Sequence, residues 1–195
     1  KRSMAEYVIL TGSNIVCSIN YDDILKSHVE RNADITAIYA NPREGVLLPS
    51  GVAMLRMDEG ERVYELTFNN EENVQQHFPI SLGIFVMRKS LLESLVADSI
   101  AFGRYDFYRD IIQRLCSNLN ILGYEHKKIY FEISSVSGYM KENMRLLSGD
   151  IREQIFEQPV YTKVKDSVPA QYGTGAQVSN SIISDGCKVE GTVIN

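Results

Sequence analysis

Runs of apolar residues separated by polar turns divide this chain into alternating strand-like and helix-like blocks. Residues 7–10 (YVIL) form a short, continuous apolar run that ends at a turn around Gly12. Such a run is typical of a strand buried in a parallel sheet. Residues 21–32 follow with apolar side chains at helical spacing and acids in the first turn. Residues 33–40 form a second apolar run, so the sequence predicts a βαβ unit whose two strands pair in parallel.

The same alternation continues as far as residue 150 and predicts an α/β sheet domain. Asp58-Glu59-Gly60 predicts a hairpin turn that contains glycine, and Ser135 is a typical N-cap for the helix that follows it. The predicted strands are 7–10, 33–40, 51–57, 62–68, 80–87 and 123–131, and the predicted helices are 21–32, 88–98, 104–116 and 135–147.

The C-terminal part of the chain has a different pattern. Residues 151–176 contain two prolines and a glycine-rich stretch, and we interpret them as a connecting segment with one short strand at 160–164. In residues 177–195 small aliphatic residues recur about every six positions, which is typical of a left-handed parallel β-helix. Since one coil cannot bury its own apolar face, we expect this sequence to be an internal part of a longer chain. The side chains predicted to point inward are Val178, Ile183, Val189 and Val193.

Composition narrows the classes of partner. The chain has 195 residues and a net charge of −5 without a long basic run, which argues against nucleic acid and against an anionic membrane as partner. No apolar stretch approaches the roughly 20 residues of a membrane span. Cys17, Cys116 and Cys187 are far apart and have no metal-ligand spacing, which fits a reducing cytoplasm.

The turn after the first strand is the place where the residues themselves predict chemistry. In open α/β sheets a ligand binds beyond the carboxyl ends of the strands, and here that end is Gly12-Ser13-Asn14. His28 has no cysteine, histidine or carboxylate partner at a matching spacing, so we interpret it as a histidine on the surface of its helix.

Residues 11–21 resemble a motif of the sugar-nucleotide pyrophosphorylases, in particular ADP-glucose pyrophosphorylase (glucose-1-phosphate adenylyltransferase). In that family the strand ends in S-G-D-H-I-Y followed by M-D-Y, and the Asp after the Gly holds the catalytic magnesium ion. This chain reads T-G-S-N-I-V and then I-N-Y, with Ser13 in the place of that Asp. Magnesium needs hard, charged oxygen ligands, so the resemblance implies that a metal-binding carboxylate is missing here.

Two further segments resemble the sugar-binding part of that family. The second hairpin strand of the family runs into E-E-K-P, whose Lys binds the phosphate of glucose 1-phosphate; Asn69 stands at that position, and no Lys occurs from residue 27 to residue 88. Residues 80–87 resemble S-M-G-I-Y, which places Ser81 and Gly83 beside the bound sugar. The alternative for Gly83 is structural, because a glycine in a strand also lets two backbones approach closely.

Two segments in the second half of the sheet domain also resemble motifs of the family. Residues 106–112 (DFYRDII) resemble D-F-G-K-D-I-I, and residues 143–147 (NMRLL) resemble the end of the helix A-N-M-D-L-L that follows W-x-D-V-G-T. Counting back from Asn143 places Glu132 at the second metal-binding Asp of the family and Ser135 at its Thr. The alternative is that Glu132 is a surface residue without a function.

The resemblance implies a fold and a domain order for the whole chain. Residues 1–150 would be the C-terminal part of a nucleotide-diphospho-sugar transferase sheet domain, which is Rossmann-like. Residues 151–176 would connect it to residues 177–195, the first coil of a left-handed parallel β-helix.

The missing charges make the chain most similar to the regulatory, GlgD-type subunit of the family. This implies a catalytically impaired subunit that supports ADP-glucose synthesis from ATP and glucose 1-phosphate for glycogen biosynthesis. It would hold no cofactor itself, although catalytic relatives use magnesium, and it would assemble in the cytoplasm with a catalytic subunit as a hetero-oligomer, a tetramer as in the family.

Two alternatives to a regulatory subunit stay open. One is an active sugar-phosphate nucleotidyltransferase that takes its metal ligands from elsewhere. The other is a hexapeptide-repeat acyltransferase, which we rank last because such enzymes use a catalytic His and residues 127–195 contain none.

Overall fold

A computed structural model describes residues 3–42, 47–48, 50–70, 74–75, 78–161, 163 and 166–194. Over these ranges the chain forms short strands, four α-helices and one π-helix at Phe107–Gln113. The strands are β1 (Tyr7–Thr11), β2 (Ile15–Cys17), β3 (Ile35–Ala40), β4 (Leu47–Leu48), β5 (Ala53–Met57), β6 (Val63–Phe68), β7 (Val74–Gln75), β8 (Ile80–Arg88), β9 (Ile121–Glu125), β10 (Tyr130–Glu132), β11 (Gln171–Tyr172), β12 (Gln177–Ser179), β13 (Lys188–Val189) and β14 (Thr192–Ile194). The α-helices are α1 (Tyr21–Glu30), α2 (Lys89–Ala101), α3 (Val136–Arg145) and α4 (Gly149–Ile155).

Strand β8 is the centre of a six-stranded mixed sheet. Its one edge pairs antiparallel with β3, and its other edge pairs antiparallel with β1 and, through Met54 and Ile80, with β5. β9 extends the sheet in parallel beside β3, and β6 extends it antiparallel beside β5. Six of the predicted sheet segments therefore contribute to this sheet, and β1 lies in it as expected.

The predicted direct pairing of β1 with β3 is wrong. The two strands point in the same direction, but β8 lies between them. β8 takes this place because nearly all of its side chains are apolar, so it can be buried on both faces, as the burial of every residue from Ile80 to Met87 except Gly83 shows. β1 is half-exposed rather than buried, and Ile9 in it is 42% exposed.

Helices cover both faces of the sheet. On one face Ile24 of α1 packs against Ile38, Leu82 and Ile84. On the other face Leu95 of α2 and the π-helix residues Ile111 and Ile112 pack against β3 and β8. The strand residues in this second layer alternate with those of the first and are Ile35, Ala37, Tyr39, Phe85 and Met87. The alternation of strand side chains between two helical layers is the packing that a buried α/β sheet requires.

Several helix predictions are confirmed, but one predicted α-helix is in fact a π-helix. Asn20 caps α1 by accepting a hydrogen bond from the backbone N–H of Asp22, and Ser135 caps α3 by accepting one from Gly138. The predicted helix 104–116 begins only at Phe107 and has π-helical rather than α-helical hydrogen bonding. Its N-cap, Asp106, accepts a hydrogen bond from Arg109.

The predicted surface position of His28 is wrong, because its side chain is buried with only 2% exposed. The imidazole Nδ1 lies 2.8 Å from the hydroxyl of Thr36, and the ring makes an edge contact with Tyr7. His28 thus fastens α1 to β3 and β1.

The predicted strand 123–131 is in fact two strands. β9 ends at Glu125, and β10 begins at Tyr130 and pairs antiparallel with β2 outside the main sheet. A satellite core with Phe131 and Ile155 holds this part against α4, a helix that the sequence did not predict.

The β5–β6 hairpin is confirmed, although its left-handed residue is Glu61 (φ +61°) and not Gly60. The Glu61 carboxylate accepts hydrogen bonds from Arg31 at 2.9 Å and from the Tyr39 hydroxyl at 3.2 Å. Arg31 also donates to the carbonyl oxygen of Gly123 at 3.1 Å, so these side chains join α1, β3, β9 and the hairpin turn.

The C-terminal residues form two parallel ladders, β11 with β13 and β12 with β14. Val189 is buried, Ile183 and Val193 are half-buried, and Val178 is 39% exposed. Parallel pairing of strands about fifteen residues apart is compatible with a coil, but the β-helix stays a prediction. The predicted strand 160–164 lies partly outside the described residues, and Val160 and Tyr161 are not in a strand.

No helix within the ranges given above is long and apolar enough to cross a membrane.

A first prediction concerns the packing at Gly123, which is buried in β9. A Cβ atom there would lie 2.5 Å from the sulfur of Met57 and 2.8 Å from the Tyr39 ring. We expect Gly123→Ala to lower the free energy of unfolding by about 1–3 kcal/mol through overpacking. Gly149→Ala is the control, since a Cβ there meets nothing within 4 Å. Equal stability of the two variants in urea titrations would refute the prediction.

A second prediction follows from the burial of His28. Burial lowers the pKa of His28 below its ordinary value of 6.5, the Arg88 guanidinium lowers it further, and Asp34 opposes both. The unfolded chain therefore binds a proton that the folded chain does not, and stability falls as the pH drops below 6.5. We expect urea unfolding to show a smaller loss between pH 7.5 and about pH 5.5 for His28→Gln than for the wild type. An identical loss in both would contradict this.

Candidate ligand-binding site

A cavity of about 460 Å³ lies beyond the carboxyl end of β1, where the sequence predicts chemistry. Thr11, Gly12 and Asn14 of the turn line one side of it. The turn is fixed by two backbone hydrogen bonds, from Gly12 N–H to the carbonyl of Gly83 at 3.3 Å and from Ile133 N–H to the carbonyl of Asn14 at 2.7 Å. A volume of this size is within the usual range for small-molecule pockets.

A bulge in β8 forms a second wall of the cavity. Ile38 and Tyr39 are consecutive in β3, but their partners Ile84 and Ser81 in β8 are separated by Leu82 and Gly83. Gly83 has φ +68°, which a residue with a side chain rarely adopts. The bulge turns Ser81 and Gly83 toward the cavity, so both residues that the resemblance places near the sugar line it.

Four aromatic side chains line the cavity together with aliphatic ones. Phe68 comes from the end of β6, Phe85 from β8, and Phe107 and Tyr108 from the π-helix. The ring of Tyr108 lies 6.1 Å from that of Phe68 and 5.4 Å from that of Phe85, both in edge contact. Its hydroxyl lies 3.3 Å from the hydroxyl of Ser81. Tyr108 was not predicted as a site residue, although the DFYRDII segment that contains it carries the family resemblance.

Glu132 brings a carboxyl group to the same cavity. It is the last residue of β10 and pairs with Ile15, which follows the turn. Although Glu132 is partly exposed, its carboxyl is enclosed enough that desolvation raises its pKa. Burial also raises the pKa of Tyr108. The hydrogen bond with Ser81 lowers this pKa, and the negative charges of Glu132 and Asp106 raise it further.

The other two predicted positions lie beside the cavity. Ser13 is exposed in the turn, and its neighbours Gly12 and Asn14 contribute to the wall. Asn69 is buried with 4% exposed, and its backbone bonds to Gly51 and Val52. Its side chain is not part of the described cavity wall, unlike that of the preceding Phe68.

The described lining does not fit a magnesium ion of the kind that the resemblance implies for catalytic relatives. Glu132 is the one carboxylate among the described lining residues, and desolvation raises its pKa. Magnesium binds through charged oxygens in near-octahedral geometry. Across the described ranges no three His, Cys, Asp or Glu side chains lie close enough together to hold a metal ion.

A larger groove of about 650 Å³ lies between α1 and the end of β9. Arg31 lines it, but this guanidinium already donates to Glu61 and to the carbonyl oxygens of Gly60 and Gly123. Lys128 is paired with Glu157. Both cations are already paired with groups of the protein, so the cavity at the β1 turn is the better candidate site.

The fold and cavity define the class of protein. A mixed α/β sheet with helices on both faces and a cavity at a strand end is consistent with a Rossmann-like nucleotidyltransferase domain. The chain is homologous over its whole length to GlgD proteins and, over nearly all of it, to a glucose-1-phosphate adenylyltransferase.

The individual comparisons are consistent with one another. The chain is 29% identical over 196 residues to the glycogen biosynthesis protein GlgD of Bacillus subtilis, and 31% identical over 196 residues to GlgD of Geobacillus stearothermophilus. Each alignment covers 100% of this chain and 46% of the relative. A glucose-1-phosphate adenylyltransferase of Clostridium novyi is 27% identical over 197 residues, which cover 97% of this chain and 50% of the relative. The chain thus spans about half the length of the curated relatives it matches. No protein-family profile matches it.

A third prediction tests the environment of Glu132. Because desolvation raises the pKa of its carboxyl above the ordinary 4.5, ionisation costs stability in the folded chain. Wild type and Glu132→Gln should therefore differ little at low pH, and the Gln variant should become the more stable as the pH rises through the raised pKa. Thermal melts at about pH 4 and pH 7 measure this difference. Glu153→Gln, on the exposed side of α4, is the control. If Glu132→Gln were less stable than wild type at neutral pH, the carboxylate would have to be favourably paired.

Proposed function

We propose that this chain is part of a GlgD-like, catalytically impaired regulatory subunit of glucose-1-phosphate adenylyltransferase. It would support ADP-glucose synthesis from ATP and glucose 1-phosphate, and so glycogen biosynthesis, by assembling with a catalytic subunit as a hetero-oligomer. The names of the homologues support the pathway. The observation that carries the impairment is the neutral Ser13 in the turn at the end of β1.

The physical reason for the impairment is loss of charge. Transfer of a phosphorylated group spreads negative charge over oxygens, and enzymes stabilise it with metal ions and cationic side chains. At the β1 turn the hydroxyl of Ser13 cannot anchor a metal ion. One carboxyl remains among the described lining residues, that of Glu132, and desolvation raises its pKa. Asn69 is neutral and buried where the resemblance implies a cation.

The described architecture supports a binding and regulatory role without catalysis. The described sheet, helical layers and cavity wall are formed by residues other than Ser13, so a neutral side chain at this position is compatible with the fold. We also propose that residues 1–150 are the C-terminal part of the sheet domain and that residues 177–195 begin a left-handed parallel β-helix. Residues 151–176 would be the segment that connects the two. The parallel ladders of β11–β13 and β12–β14 support the β-helix.

A second candidate function is an active sugar-phosphate nucleotidyltransferase. The cavity of about 460 Å³ favours it, because its walls still admit a small molecule. In that case the full-length protein would itself make ADP-glucose in the presence of magnesium.

A fourth prediction separates the two functions. The full-length protein alone should make ADP-glucose from ATP and glucose 1-phosphate at least about 100-fold more slowly than when mixed with a catalytic subunit, because charge stabilisation of this kind contributes factors of that size. In the mixed assembly Ser13→Ala should leave the rate within about twofold of wild type, as Ser94→Ala on the exposed side of α2 should.

Either of two results would overturn the proposed impairment. One is magnesium-dependent synthesis by the full-length protein alone at the rate of the mixture. The other is a large loss of the mixed rate on Ser13→Ala but not on Ser94→Ala, which would assign Ser13 to a working site.

A further inference from the structure

Tyr108 occupies a fixed place in the cavity. It is the second residue of the π-helix, and π-helical turns are uncommon and frequently found at functional sites. Edge contacts with Phe68 and Phe85 hold its ring, and the Ser81 hydroxyl lies 3.3 Å from its own. Contacts from β6 and β8 therefore hold the phenol in place.

The phenol lies directly against the backbone bulge of β8. A Cβ atom added at Gly83 would be 3.1 Å from the Tyr108 hydroxyl oxygen, which is closer than ordinary van der Waals contact. No ligand atom fits between the two. A ligand atom can approach Gly83 from the side on which a Cβ would lie only if the Tyr108 ring moves and gives up its aromatic contacts.

The electrostatics on this side of the cavity oppose an anion as well. The phenol is uncharged, and Glu132 brings a carboxyl to the same walls. Burial is the main cause of the raised pKa of the Tyr108 phenol, and the negative charge of Glu132 adds to it. A phosphate group placed beside Gly83 would meet the same field.

We propose that Tyr108 fills the part of the cavity on the Cβ side of Gly83 and is the residue that bars a hexose phosphate from that place. The inference rests on the proposed function, in which this cavity corresponds to a sugar-phosphate site that no longer serves catalysis.

The test is calorimetric titration of the full-length protein with glucose 1-phosphate, without metal or nucleotide. If the open position of the ring is rarely populated, its removal raises apparent affinity by the inverse of that population. We expect Tyr108→Gly to bind at least about tenfold more tightly than wild type, and Tyr108→Phe, which keeps the ring, to bind within about threefold of wild type. Tyr105→Gly is the control, because Tyr105 is 87% exposed and does not line the cavity.

A second variant protects the test against unfolding. Tyr108→Leu keeps apolar contacts with the aromatic cluster but removes the part of the ring that reaches Gly83. Thermal melts identify folded variants, and Tyr108→Leu should then show the same direction of change as Tyr108→Gly.

The outcomes are distinct. Wild type that binds glucose 1-phosphate as tightly as the folded Gly or Leu variant overturns the inference, and so does absence of binding by every folded variant. Wild type that binds the sugar phosphate but makes no ADP-glucose alone contradicts only the role of Tyr108. Synthesis of ADP-glucose by wild type alone contradicts the proposed function itself.

Discussion

The burial of β8 on both faces and its pairing along both edges is the constraint on which the rest of the fold depends. Its side chains at Ile80, Leu82, Ile84, Phe85, Val86 and Met87 are each at most 2% exposed. Burying such a side chain stabilises a fold by about 1.5–3 kcal/mol, so a strand of this composition is driven to the centre of the sheet. Both helical layers pack on it, and β1, β3 and β5 take their positions from its edges. The bulge at Gly83 is tolerated because the flanking pairs hold it in place, and it opens the cavity.

The parts of the fold that could be predicted are those with a local signal. A continuous apolar run marks β3, alternation around a polar turn marks the β5–β6 hairpin, and Ser135 marks the start of α3. The order of strands could not be predicted, because the placement of β8 between β1 and β3 depends on contacts between residues far apart in the chain. His28 shows the same limit: its partner Thr36 is near in sequence, but its burial depends on how α1 packs on the sheet.

The candidate site, like the fold, had one part that could be predicted from local sequence and one part that could not. The position of the cavity followed from the end of β1, since a strand end in an α/β sheet is where ligands bind. The residues that give the cavity its character did not follow from that rule. Tyr108 meets Ser81 across 27 positions of sequence, and only the π-helix turns its phenol toward the bulge. A helical pattern of apolar residues at 107, 111 and 112 predicts a helix, but it cannot distinguish the π form from the α form.

The network around Glu61 shows why the sheet and the site can change separately. Its carboxylate accepts hydrogen bonds from Arg31 and Tyr39 beside the edge strand β9. The strands β3 and β8 lie between β9 and β1, so this network is separated from the β1 turn. There an unusual backbone conformation, φ +61°, is retained because charged and hydroxyl partners fix it. At the β1 turn no such dependence exists among the described contacts, because Ser13 is exposed and the turn is fixed by the backbone bonds of Gly12 and Asn14. No described contact at the β1 turn depends on a charge at position 13, whereas the carboxylate of Glu61 joins Arg31 and Tyr39. This difference between the two turns is the physical basis on which the proposed loss of a metal-binding charge at position 13 is compatible with an intact sheet.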